Sequence, residues 1–76
     1  MTEREIIARI QRIFEETFDV SAPPPQTDII EAALLDSLGL VMLLFEIELR
    51  FGTELPLESL EIDDFRTIEK IARLIG

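Results

Sequence analysis

The chain contains no cysteine, no histidine, no tryptophan and no tyrosine. Without cysteine, neither a disulfide nor a thiolate metal site can form. Without histidine, the commonest general base and the commonest metal ligand are both missing. A serine hydroxyl is a weak nucleophile unless a base activates it, so self-contained covalent catalysis has little to draw on. Basic residues are scarce as well: 7 Lys and Arg stand against 16 Asp and Glu, for a formal net charge of −9. That sign disfavours nucleic acid and anionic membranes. It suits partners with basic patches, toward which charge guides the encounter. The most apolar stretch, Leu38 to Phe45, falls far short of the ~20 residues that a membrane-spanning helix needs. The opening Met1-Thr2-Glu3-Arg4-Glu5 has no signal-peptide form. A cytoplasmic monomer is expected. No Asp-x-Asp-x-Asp-Gly spacing marks a calcium loop. Adjacent carboxylates at Glu15-Glu16 and Asp63-Asp64 could do acid–base work, but caps and solvated helix faces account for them, and nothing supplies a nucleophile or an oxyanion site.

What is present is enough for one small folded domain spanning residues 1–76. With 47% hydrophobic and 30% charged residues, the chain is too apolar to stay disordered. A chain this short buries only about 60–65% of its unfolded surface, so its core has little to spare. Thr2 with Glu5 fits a capping box, and Ile6, Ile7, Ile10, Ile13, Phe14 and Phe18 recur at helical spacing, predicting a helix from about residue 3 to 17. Ser21-Ala22-Pro23-Pro24-Pro25 cannot continue it, because proline lacks an N–H and restricts the residue before it. A long loop is therefore expected from about 19 to 35, with Thr27 or Asp28 capping a turn and Ile29, Ile30, Leu34 and Leu35 as anchors. A loop of that length in a compact domain needs a function or its own anchors. A second helix is expected over about 37–51, with Asp36 or Ser37 as N-cap and Gly52 past its end. Pro56 suggests a short helix at about 57–61. A last helix at about 67–75 carries Ile68, Ile71, Ala72 and Ile75, with Asp63, Asp64 and Thr67 as candidate caps. No segment reads as a strand, so the fold class is all-α: three main helices plus a short one.

The second helix has two apolar faces. At about 100° per residue, Leu40, Leu43, Leu44, Ile47 and Phe51 fall on one side, and Leu38, Val41, Met42, Phe45 and Leu49 on nearly the opposite one. Glu46 and Arg50 run along one border and Glu48 along the other. A helix at the edge of a bundle needs a single apolar stripe. Either this helix is buried on both sides, or one stripe is left for a partner. The pattern alone does not say which stripe faces inward.

A serine at the start of a helix is ordinarily a cap. The same place, with its unpaired N–H groups and positive dipole end, also favours a phosphate ester. Ala33-Leu34-Leu35-Asp36-Ser37-Leu38-Gly39 resembles the prosthetic-group attachment site of acyl carrier proteins. The resemblance continues through Leu43, Leu44, Ile47, Glu48, Phe51, Thr53-Glu54-Leu55-Pro56 and Phe65-x-Thr67-Ile68. Within the family it is nearest to stand-alone D-alanyl and aminoacyl carriers served by an adenylate-forming ligase. Two positions depart from the family's habits: Met42 stands where fatty-acid carriers usually have an acidic residue, and Ala33 where carriers commonly have glycine.

The resemblance implies that Ser37 accepts 4′-phosphopantetheine from a separate phosphopantetheinyl transferase, with Asp36 assisting that encounter. The arm's thiol would hold an acyl or aminoacyl cargo as a thioester, loaded by the ligase and handed to a downstream acyl transferase or synthase. It also implies that the Leu40–Phe51 stripe faces the core. Leu38, Val41, Met42 and Phe45 would then meet partner enzymes, with Glu46 and Glu48 adding charge at the rim. On this reading the protein is a carrier and no enzyme. The alternative is an unmodified helical interaction module using the Leu38/Val41/Met42/Phe45 face.

Overall fold

A computed structural model describes residues 1–56 and 58–76. Its elements are helix α1 (Glu3–Thr17), helix α2 (Ser37–Phe51), a single 3-10 turn (Ile62–Phe65) and helix α3 (Ile68–Ile75), with no strand among the described residues. The capping box forms as expected: the Thr2 hydroxyl accepts from the Glu5 N–H at 3.2 Å, and the Glu5 carboxylate accepts from the Thr2 N–H at 3.2 Å. The core-facing stripe of α1 is Ile6, Ile10, Ile13 and Phe14. It meets Ile68, Ile71 and Ala72 of α3 and Leu43, Leu44 and Ile47 of α2 in one cluster, closed by Ile29 and Leu55 from the loops. No charged or polar side chain is buried among the described residues.

Each helix end has a chemical cause. α1 stops where Asp19 turns left-handed at φ 54°, a conformation that a short polar side chain tolerates better than most. α2 ends on Gly52, also left-handed at φ 61°, where a glycine pays no Cβ penalty. Thr67 caps α3 by accepting from the Lys70 N–H at 3.1 Å.

The proline-rich connection is stitched down along its length. Gln11 donates to the Pro23 carbonyl at 3.1 Å and the Glu69 N–H to the Pro25 carbonyl at 3.1 Å. The fully buried Ile29 donates its N–H to the Arg66 carbonyl at 2.9 Å. Asp28 caps the following turn, accepting from the N–H groups of Ile30 and Glu31 at 3.0 and 2.8 Å. Its other oxygen meets the Arg66 guanidinium at 2.9 Å, and Arg66 also reaches Asp63 at 2.8 Å. Asp28 rather than Thr27 is therefore the cap. These contacts, first the Glu31 N–H and then Arg66, hold the Asp28 carboxyl below the ordinary carboxylate value. Of the four expected anchors, Ile29 is buried and Ile30 and Leu35 pack against the core, but Leu34 remains 37% exposed.

A second departure concerns the short helix. Over the described part of the expected 57–61 segment there is only a turn, closed by the Ser59 N–H on the Pro56 carbonyl at 2.9 Å; Leu57 lies outside the described residues. The helical turn forms later, at Ile62–Phe65. There the Asp64 carboxylate accepts from the Glu61 N–H at 2.8 Å and nucleates the turn.

Candidate functional site: the start of α2

The bundle measures 25 × 25 × 20 Å, about two helix diameters across, so α2 cannot be enclosed on all sides. Its Leu43, Leu44 and Ile47 go inward, with Leu40 and Phe51 packed at the margin of the core. The opposite stripe is left in solvent, with Leu38 at 67%, Val41 at 63%, Met42 at 44%, Phe45 at 59% and Leu49 at 65% exposure. Single exposed apolar residues are ordinary, whereas these five lie together along one face of the helix.

At the head of this stripe, Asp36 is the N-cap. Its Oδ1 accepts from the Gly39 N–H at 2.7 Å, while its carbonyl takes the Leu40 N–H at 2.9 Å. Gly39 leaves the cap uncrowded. A Cβ there would lie 3.2 Å from the Asp36 carboxylate and 3.2 Å from Leu35 Cβ, tighter than ordinary van der Waals contact.

Because Asp36 caps, Ser37 occupies the first helical position, exposed. Its hydroxyl makes no hydrogen bond among the described residues, and the N–H groups of Ser37 and Leu38 likewise find no acceptor there. A negatively charged ester on that oxygen would sit beside two unsatisfied donors at the positive end of the helix dipole. The residues present thus fit a phosphodiester. Immediately upstream, Ala33 adopts φ 54°. This is the position where carriers commonly have glycine, and the backbone shows why.

The two carboxylates expected at the rim of that face also make contacts within the chain. Glu46 pairs with Arg50 at 3.0 Å, and Arg50 continues to Glu16 on α1 at 2.7 Å. Glu48 accepts from the Leu55 N–H at 3.0 Å, fixing the loop that delivers buried Leu55 to the core. Both are thus engaged within the chain. Phe18, assigned by periodicity to the core face of α1, also reaches this end of the molecule. With Leu34, Leu35, Asp36, Leu38 and Met42 it borders a shallow, open depression beside Ser37. Sequence spacing could not reveal that contact, because it joins residues brought together only by the loop's path. Among the described residues, no group of acidic side chains could hold a metal.

The family model described as "Phosphopantetheine attachment site" matches residues 6–75. The chain belongs to that family of carrier proteins. It is therefore a carrier and not itself an enzyme, and its covalent cofactor is 4′-phosphopantetheine. Among curated proteins it is 37% identical over 71 residues to the D-alanyl carrier proteins of Streptococcus pyogenes serotypes M5 (strain Manfredo), M49 (strain NZ131) and M1, covering 93% of this chain and 86% of each relative. The similarity places it with carriers of the D-alanyl type. No solved structure gives a significant match. No helix among the described residues is long and apolar enough to cross a membrane.

Proposed function

We propose that Ser37 is the attachment residue and that the chain holds an acyl or aminoacyl group as a thioester, presenting it to partner enzymes in the cytoplasm. The observation that carries this reading is an exposed serine at the first position of a capped helix, inside a family match covering nearly the whole chain. With no histidine in the chain to activate it, Ser37 reacts in the active site of a phosphopantetheinyl transferase, which supplies the base; its oxygen attacks the pyrophosphate of coenzyme A, forming the phosphodiester to the arm and releasing adenosine 3′,5′-bisphosphate. Asp36 keeps the first turn of α2 in shape and offers its second carboxylate oxygen to that enzyme.

When attached, the arm supplies the thiol that this cysteine-free chain lacks. The protein's own contribution is to tether and orient. Tethering replaces a bimolecular search by a local one at each partner's active site. The exposed face of Leu38, Val41, Met42 and Phe45 docks the transferase, an adenylate-forming ligase and a downstream acyl transferase or synthase in turn. Glu46 and Glu48 add charge at its rim. The name of the S. pyogenes relatives makes D-alanine the first cargo to test.

Coexpression with a broad-specificity transferase should add the mass of one phosphopantetheine to the wild type and none to Ser37→Ala. Loading the modified protein against a panel of activated acids then identifies the cargo. Protein isolated from its native host without the modification, yet biologically active, would leave only a helical interaction module.

A further inference from the structure

The basic side chains divide between those used inside the fold and those left outside it. Arg50 bridges Glu16 and Glu46, Arg66 bridges Asp28 and Asp63, and Arg73 bridges Glu3 and Glu69. Arg4, Arg9, Arg12 and Lys70 form no ion pair among the described residues. Lys70 stands alone on α3, beside a depression that Asp63 and Asp64 also line. The three arginines share α1, and all are exposed. Two carboxylates near them are engaged elsewhere, Glu5 with Thr2 and Glu16 with Arg50. A chain of net charge −9 thus displays unpaired guanidiniums on one helix.

Arg4, Ala8 and Arg12 follow at four-residue spacing, which aligns them along one ridge of the helix. Because Ile6, Ile10, Ile13 and Phe14 face the core, that ridge faces solvent. Arg9 flanks it, and Glu5, Ala8, Arg9 and Arg12 border a shallow, open depression. From Arg4 to Arg12 the ridge rises about 12 Å, at ~1.5 Å per residue. An extended peptide covers that distance in about four residues at ~3.3 Å each, with alternate side chains on one face. Carboxylates at alternate positions of such a peptide therefore fall into register with the ridge.

We infer that the outer ridge of α1 binds an extended acidic segment of a partner protein. Guanidinium and carboxylate are planar groups that meet through two parallel hydrogen bonds. A nucleic acid or an anionic lipid surface fits less well, because the chain's overall charge repels a continuous polyanion. A few carboxylates at the ridge respond mainly to its arginines, since salt screens charges beyond about 8 Å. Both this ridge and the exposed stripe of α2 face away from the core that joins the two helices. A segment held on α1 therefore leaves the α2 stripe uncovered, and keeps the carrier close to one protein while another docks. The inference does not depend on Ser37 being the attachment residue.

The test titrates the full chain with a short synthetic peptide carrying glutamate at alternate positions, followed by nuclear magnetic resonance. Saturating amide shifts are expected at Arg4, Ala8, Arg9 and Arg12, weakening as salt is added, with Leu38, Val41 and Phe45 unmoved. Combining Arg4→Gln with Arg12→Gln should weaken binding about tenfold, each exposed ion pair being worth a few-fold. Lys70→Gln should leave binding unchanged, and circular dichroism should show the same helix content in every variant. Absence of a saturating shift on α1, equal weakening by Lys70→Gln, or movement of the α2 stripe overturns the inference. So does occupation of the ridge by a single-stranded oligonucleotide or by phosphatidylglycerol vesicles at a lower concentration than the peptide requires.

Discussion

If α2 is divided as the structure divides it, two neighbouring truncations on that helix must differ sharply. Leu43 is fully buried, and Leu43→Ala removes most of its side chain from a core with no slack. The transfer loss plus the cavity left behind is worth about 2–5 kcal/mol. Phe45, two positions on, is 59% exposed. Burying a whole Phe side chain is worth about 1.5–3 kcal/mol, so the smaller fraction actually covered contributes about 1 kcal/mol, and no enclosed cavity forms on truncation. Alanine recovers about 0.5 kcal/mol of helix propensity over phenylalanine, leaving Phe45→Ala within about 0.5 kcal/mol of wild type. A domain this small has only about 3–5 kcal/mol in hand, so Leu43→Ala should sit near the edge of unfolding in water. Urea melts followed by far-ultraviolet circular dichroism are the assay, since the absence of tryptophan and tyrosine rules out the usual fluorescence readout. The midpoint should drop steeply for Leu43→Ala and barely move for Phe45→Ala, with a shared slope. If Phe45→Ala loses as much as Leu43→Ala, the inward and outward faces of α2 have been assigned the wrong way round.

Substitutions at three further positions probe the loop and the cap. Asp36→Ala should cost about 1 kcal/mol by removing the N-cap and should also slow modification by the transferase. Asp36→Asn should keep the stability but not the rate, so equal rates for Asn and wild type would deny the carboxylate its role at the enzyme. Asp28 has a carboxyl held below its ordinary value of 3.8, chiefly by the Glu31 N–H and then by Arg66. The folded state therefore binds fewer protons than the unfolded one, and the stabilisation is complete above 3.8 and lost as pH falls through the lowered value. The stability gap between wild type and Asp28→Asn, read from urea melts, should accordingly be widest at neutral pH and close on acidification below 3.8; a gap that widens there refutes the assignment. Ala33→Gly relieves a left-handed backbone that costs a non-glycine residue about 1–2 kcal/mol, against about 0.4–1 kcal/mol of added freedom in the unfolded chain. Its thermal midpoint should hold or rise, and a clear fall would mean that the φ of 54° carries no strain.

The three main helices could be read from the residues alone. A capping box at Thr2 and Glu5, isoleucines at helical spacing, three successive prolines and a glycine at position 52 are local signals, and local hydrogen bonding obeys them. The absence of cysteine excludes a disulfide or thiolate site, and Asp36-Ser37-Leu38 carries the resemblance to an attachment site. What only the tertiary structure decided are the matters that depend on neighbours distant in the chain. α2 is apolar nearly all round, so its period sorts residues into two faces without saying which is inward; the positions of α1 and α3 make that choice. The carboxylate of Glu48 reads as surface charge until the returning loop brings the Leu55 N–H to it. Phe18 joins Leu34 and Met42 around one depression for the same reason: periodicity specifies a direction around a helix axis, whereas contact requires that a second element be present in that direction.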